Sequence, residues 1–226
     1  MATVVLFVFG MIVGSFLNVV ALRWNEKNFG GRSKCPHCTK TLSWYELVPV
    51  ISFLIQKRKC RGCNSSISYQ YPLIEILTGL IFITVPLWML PVFCIYIVIL
   101  IYDFHHKIIP DPLVYSAIIL SLVLGWQILA GLIIFAFFAA IWLFSRGRAI
   151  GFGDAKLGLS VGFLLGAAEG FSAIVVAFWI GAASSLFLMW RKKLTMKSEV
   201  PFAPFIILGA WIAVFFGLDI LHVLSF

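Results

Sequence analysis

The chain has 226 residues, of which 62% are hydrophobic and only 12% charged, with a mean hydropathy of +1.05. A soluble domain of this length cannot hide that much apolar surface, so the composition excludes an ordinary soluble protein and predicts an all-α polytopic membrane protein. The formal net charge of +8 follows from where the basic residues fall, suits an anionic leaflet, and gives no support for a nucleic-acid partner.

Apolar runs predict about eight transmembrane helices, at 3–22, 72–88, 90–102, 112–129, 131–144, 154–167, 171–190 and 202–224. Several fall short of the ~20 residues that usually cross a bilayer. The breaks at Pro86 and Pro91 and at Gly125 and Gly131 are soft, and seven spans result if 112–144 is counted otherwise. Cytoplasmic loops collect Lys and Arg, which tests the count. Residues 23–61 hold nine of the seventeen basic residues. The next alternate loops hold Lys107, then Arg146, Arg148 and Lys156, then Arg191, Lys192, Lys193 and Lys197. Loops on the opposite side show only Glu169 and, at the tail, Asp219. Eight spans with the N-terminus outside satisfy this pattern. The first run has no basic residue before it, so it reads as an uncleaved helix rather than a secretory signal. Within it Gly10 and Gly14 form a small-xxx-small packing pair. Asn18 continues that face, where it either bonds to a neighbouring helix or faces the active site.

The chain thus divides into a first helix (1–22), a polar island (23–71) and a membrane core (72–226). The island holds Cys35-Pro36-His37-Cys38 and Cys60-Arg61-Gly62-Cys63, two C-x2-C knuckles separated by 21 residues. Each pair sets two thiolates on one tight turn, and two turns complete a tetrahedral Zn²⁺ shell. A cytoplasmic loop is reducing, which argues against disulfides. Four protein thiolates leave no position for water, so Cys35, Cys38, Cys60 and Cys63 predict a structural zinc in a small cytoplasmic knuckle loop. The island is too small to bury a core of its own, and the metal supplies that folding free energy. Cys94, alone in a span, reads as a small hydrophobe.

Two acids stand where a membrane protein tolerates them worst. Asp103 ends a span, where the helix dipole disfavours negative charge. Asp154 opens one, after Gly151 and Gly153, which let another backbone come close. Both belong at the cytoplasmic boundary. Two carboxylates brought together can share one proton, the working part of an aspartic protease, and the helix ends assign that proton to Asp103 and the ionised base to Asp154. Asp111 before Pro112 reads as a helix N-cap, His105, His106 and Lys107 as interfacial residues, and Lys156 as a headgroup contact. Glu75, in the first turn of its span, is a candidate for a second site. Pro201 and Pro204 break the backbone where the last span begins, as happens where freed groups face protein or a water-filled cavity.

Gly14-Ser15-Phe16-Leu17-Asn18-Val19-Val20, the two C-x2-C pairs, the stretch from Tyr71 to Gly79, Asp103 through Asp111, Gly151 through Lys156 and Pro201 through Gly209 resemble, in order, the prepilin peptidase (type IV leader peptidase) family of GxGD membrane aspartic proteases. The resemblance implies removal of the basic leader from type IV prepilins or pseudopilins at the cytoplasmic face of a bacterial inner membrane, with Asp103 and Asp154 catalytic. It also implies that members with four cysteines methylate the new N-terminus with S-adenosylmethionine. In that scheme Glu75 is a candidate cofactor-binding residue for methyl transfer, and Gly151, Gly153, Pro201 and Pro204 position substrate and backbone. Ala203 stands where the family motif usually has glycine. A GxGD protease acting on other membrane proteins would also use the acid pair, but the four-cysteine island argues against it. A proton-coupled transporter would show internal repeats and acids buried mid-span, and the sequence shows neither.

Overall fold

The computed structural model describes residues 1–24, 31–191, 200–220 and 222. Lys192, Lys193 and Lys197 of the last basic loop, and the end of the predicted 202–224 span, lie outside the described residues. The chain divides into two compact units, Met1–Thr84 and Val85–Phe226.

The first unit contains α1 (Ala2–Leu22), the short α2 (Ile51–Ile55) and α3 (Gln70–Thr84). The small-residue face of α1 packs on α3. A Cβ on Gly10 would stand 2.8 Å from Phe82, and one on Gly14 would stand 2.7 Å from the Thr78 hydroxyl. Asn18 is fully buried. Its amide donates to the Gly14 carbonyl at 3.3 Å, and its oxygen accepts from the Gln70 amide at 3.3 Å. Of the two roles open to Asn18, the structure shows the helix-to-helix bond.

The two knuckles between α1 and α3 are built alike, 25 positions apart. In the first, the Cys35 N–H donates to Lys40, Thr39 returns a bond to the Cys35 carbonyl, and Lys34 bridges Thr41. In the second, Cys60 donates to Ser65, Asn64 returns to Cys60, and Lys59 bridges Ser66. Thr39 and Asn64 both turn the chain at φ +57°. Among the described residues these two bridges are the only β pairing, and everything else regular is helical.

The second unit contains α4 (Leu90–His106), α5 (Asp111–Gly125), α6 (Ile128–Ser145), α7 (Phe152–Trp190) and α8 (Ala203–Phe216). Here α7 is the hub, packed closely by α5, α6 and α8, while α4 packs on α5 and α8. Fully buried alanines at 173, 177, 203, 210 and 213 let α7 and α8 approach. The predicted spans 154–167 and 171–190 both lie within Phe152–Trp190, as two helices separated at Gly166. Its φ of +82° and ψ of −169° suit only glycine, and they break the helix close to where the sequence suggested, so that a Cβ on Gly170 would stand 3.6 Å from the Gly162 Cα.

Among the described residues, four helical stretches are long and apolar enough to cross a bilayer: Ala2–Leu22, Leu87–His106, Ile128–Ser145 and Phe152–Trp190. Gln70–Thr84, Asp111–Gly125 and Ala203–Phe216 are shorter apolar helices. Several predicted ends shift. The second span stops at Thr84 rather than 88, because Pro86 cannot continue a helix, and the fourth stops at Gly125, where Trp126 takes a left-handed cap.

Candidate functional site

Three helix ends of the second unit meet around two buried carboxyls. Asp103, 4% exposed, lies in the last turn of α4, which Lys107 closes with a left-handed cap bonded to the Asp103 carbonyl. Asp154, 8% exposed, lies in the first turn of α7, near enough for the charge of Asp103 to act on it. The opening of α8 supplies the third end. Its first residue, Ala203, turns its N–H to the Asp103 carboxyl. That end is entered through Pro201 and carries Pro204 in its first turn, so the backbone break expected there is real. A helix N-terminus carries partial positive charge and favours an acid at this spot.

The two acids differ in what holds them. An Asp154 oxygen accepts the Gly151 N–H at 3.2 Å, closing the first turn of α7. One Asp103 oxygen, Oδ2, is buried with no hydrogen-bond partner. A satisfied acceptor beside an orphaned one describes a pair with one group ready to donate.

The glycines act differently from expectation. Neither Gly151 nor Gly153 has a positive φ, and neither receives a neighbouring backbone. A Cβ on Gly153 would stand 3.1 Å from the side chain of Ile109, so this glycine lets the α4–α5 connection lie on the start of α7. At Gly151 the nearest atom is the Asp154 oxygen at 3.4 Å, an ordinary contact. Gly151→Ala is therefore expected to keep at least about half of the activity, whereas Gly153→Val must displace Ile109 and should lower it at least about tenfold. A cleavage assay on equal amounts of folded protein checks the order; equal losses would show that Ile109 packing does not position Asp154.

Two neighbours also differ from expectation. Asp111 makes no side-chain cap, and Pro110 precedes it as the N-cap residue. Instead its Oδ1 pairs with Lys156 Nζ at 2.6 Å, and Lys156 lies 4.8 Å from the centre of the Tyr115 ring. Lys156 is thus folded over α5 rather than free for a headgroup.

Sequence reasoning passed over a buried hydroxyl chain. Tyr96 Oη, Ser160 Oγ and Ser121 Oγ are joined by two hydrogen bonds of 2.8 Å and are fully buried. Tyr96 stands two turns from Asp103 on one face of α4, and Ser160 six residues beyond Asp154. These bonds therefore link α4 and α7, which carry the acids, to α5, although α4 and α7 are not closely packed. A tyrosine seven residues before the acid was the available signal.

In the first unit the four thiols converge. Their sulfurs lie within 4.8 Å of one another, with Cys35–Cys63 and Cys38–Cys60 at 3.9 Å. A disulfide needs about 2.05 Å, so all four are free thiols arranged to hold one metal ion. The backbone N–H groups of Cys38 and His37 draw the Cys35 thiol down to about 6, and the Ser65 hydroxyl lowers Cys63. Both favour the thiolate form that a metal needs, whereas burial and the neighbouring Cys35 thiol push Cys38 up to about 11. The buried Glu46 caps the Ser43 N–H at 2.9 Å and pairs with Lys40, which holds its carboxyl below the usual range.

Glu75 is 6% exposed. Its Oε2 accepts the Val50 N–H at 2.8 Å, and the Ser15 hydroxyl also reaches the carboxyl. It borders a cavity of about 790 Å³ whose wall includes Val19, Leu42, Phe53 and Tyr71.

An apolar helical protein with a buried acid pair at three helix ends and a four-thiol cluster fits a membrane peptidase with a separate cluster able to hold a metal. The comparisons agree. Residues 8–89 match the bacterial peptidase A24 N-terminal domain, and residues 88–186 match the type IV leader peptidase family. The prepilin leader peptidase/N-methyltransferase of Bacillus subtilis (strain 168) is 33% identical over 94% of each chain. That of Aeromonas hydrophila is 26% identical over 93% of this chain and 89% of its own. The type 4 prepilin-like proteins leader peptide-processing enzyme of Escherichia coli O78:H11 is 29% identical over 88% of each. No solved structure matches. The chain belongs to the type IV leader peptidase family.

Proposed function

We propose that this protein is a prepilin peptidase that cuts the leader from type IV prepilin-like proteins and then N-methylates the new N-terminus. The observation that carries the reading is the meeting of Asp103 and Asp154 in one buried site, in a chain 33% identical over nearly its whole length to a prepilin leader peptidase/N-methyltransferase.

Asp103 and Asp154 are the catalytic pair in this reading. Asp154, held by the Gly151 N–H, is the base that takes a proton from a water between the two carboxyls. The oxygen of that water attacks the scissile carbonyl. Asp103, carrying the proton on its unpartnered oxygen, hydrogen-bonds the carbonyl oxygen as charge develops there. A proton then passes to the leaving amine, and no covalent enzyme intermediate forms. Gly153 and the Pro201–Pro204 entry to α8 position this pair through Ile109 and the Ala203 N–H.

Cys35, Cys38, Cys60 and Cys63 bind structural zinc in this reading. A tetrahedron with Zn–S of about 2.3 Å has edges near 3.8 Å, close to the two 3.9 Å separations. S-adenosylmethionine is the methyl donor, as the relatives' name suggests, with Glu75 part of the methyl-transfer site. The basic-loop pattern supports eight spans in a bacterial inner membrane, the N-terminus outside, and the island (23–71) and acid pair on the cytoplasmic side. The core from 72 to 226 then receives the apolar start of the pilin, and the bilayer surrounds it.

Mass spectrometry of a co-expressed prepilin tests the reading. A product shortened by its leader and heavier by one methyl group is expected. An unprocessed prepilin in the presence of folded enzyme would overturn it.

A further inference from the structure

Glu75 combines three observations that the peptidase does not use. The carboxyl is buried, and both of its partners are neutral donors, the Val50 N–H and the Ser15 hydroxyl. Among the described residues it makes no ion pair with a Lys or Arg. Buried charges are normally paired, and this carboxyl has no charged partner of its own although Arg23, Arg32 and Lys34 also line the cavity, so it is open to an entering cation. It also borders the 790 Å³ cavity, a volume within the range of small-ligand sites. Finally, its main donor is strained. Val50 sits at φ +59° and ψ −48°, at the centre of a tight turn in which the Ile51 N–H bonds back to the Pro49 carbonyl. That turn is rare, and a β-branched residue there is an outlier of the kind found at ligand clamps. The strain aims one N–H at one carboxylate.

We propose that this cavity receives the amino terminus created by leader removal, with Glu75 as the counter-ion of its primary ammonium and the acceptor of its proton. The proposal rests on the bifunctional reading above. The Glu75 carboxylate takes one proton from the ammonium, leaving a neutral amine. The nitrogen lone pair attacks the methyl carbon of a sulfonium donor, the carbon–sulfur bond breaks with its electron pair staying on sulfur, and a secondary ammonium and a neutral thioether result. The sulfonium is itself a cation, so the same carboxylate chemistry has two sources that an experiment must separate.

The test uses the full chain purified in detergent with its zinc. A peptide copying the mature N-terminus is titrated calorimetrically, once with a free amine and once N-acetylated, and S-adenosylmethionine is titrated separately. Wild type is expected to prefer the free amine at least about tenfold. Glu75→Gln should lose that preference, bind S-adenosylmethionine within about twofold of wild type, and yield a cleaved but unmethylated pilin in cells. Ser15→Ala, which removes one donor to the carboxylate, should reduce the preference partway and serves if Glu75→Gln loses its zinc. Equal binding of both peptides to wild type, or normal methylation by Glu75→Gln, overturns the proposal alone. Loss of S-adenosylmethionine binding with the amine preference kept overturns it in favour of the sulfonium. A wild type that cleaves but never methylates overturns the bifunctional reading beneath it.

Discussion

Asp103→Asn and Asp154→Asn are each expected to lower prepilin cleavage by at least about 10³-fold while leaving the fold and the zinc content unchanged. Removing either carboxyl removes one end of the proton transfer, and positioned acid–base catalysis alone is worth roughly 10²–10⁴. Neither change should destabilise the protein. Each acid is buried at the end of an apolar helix, where an ionised group costs free energy and an amide of the same shape does not. Thermal melting of the variants should therefore be no lower than that of wild type, the usual relation when a site is kept for activity rather than stability. The two variants should separate in binding. An uncleavable leader peptide, titrated from acid to neutral pH, should bind Asp103→Asn with nearly the wild-type profile, because the amide resembles the resting protonated group. Asp154→Asn should change that profile more. The reverse order would exchange the two roles, and near wild-type cleavage by either variant would remove the pair from the mechanism.

Removing the metal should be the second large effect, confined at first to the first unit. Cys35→Ser with Cys60→Ser, or treatment with a strong chelator, should release zinc and open residues 31–69 to protease. Structural zinc in small peptides contributes about 10–16 kcal/mol of apparent binding free energy, more than so small a segment can gain by packing. The short α2 has no buried residue, and the two bridges are single. Acid should act in the same direction. The four thiols must be deprotonated to hold zinc, so protons compete with the metal and its affinity falls as pH falls. Zinc content by mass spectrometry across pH 8 to 5, with proteolysis of the same samples, measures both. Full zinc occupancy in the double variant would end the metal assignment.

Sequence alone determined the features whose physics is local. The apolar runs announced a helical membrane architecture because backbone groups in lipid must be satisfied within a segment. The C-x2-C spacing announced a metal-holding cluster because each pair needs only one tight turn. Asp103 and Asp154 stood out because each lies against the preference of its surroundings, and Glu75 for the same reason. Helix ends were less legible. The stretch from Phe152 to Trp190 reads as two spans and is two helices, yet they part at Gly166, a few residues before the break read from the sequence, in a conformation that depends on packing. Tertiary structure decided the partners. Ile109 lies on Gly153, the Ala203 N–H meets Asp103, Lys156 folds onto Asp111, and Tyr96 reaches Ser160. Val50 reaches Glu75 across 25 positions. None of these pairs is close along the chain, so propensity and periodicity carry no information about them. They exist because helices bury particular faces against particular neighbours, and only the packed molecule specifies which faces meet.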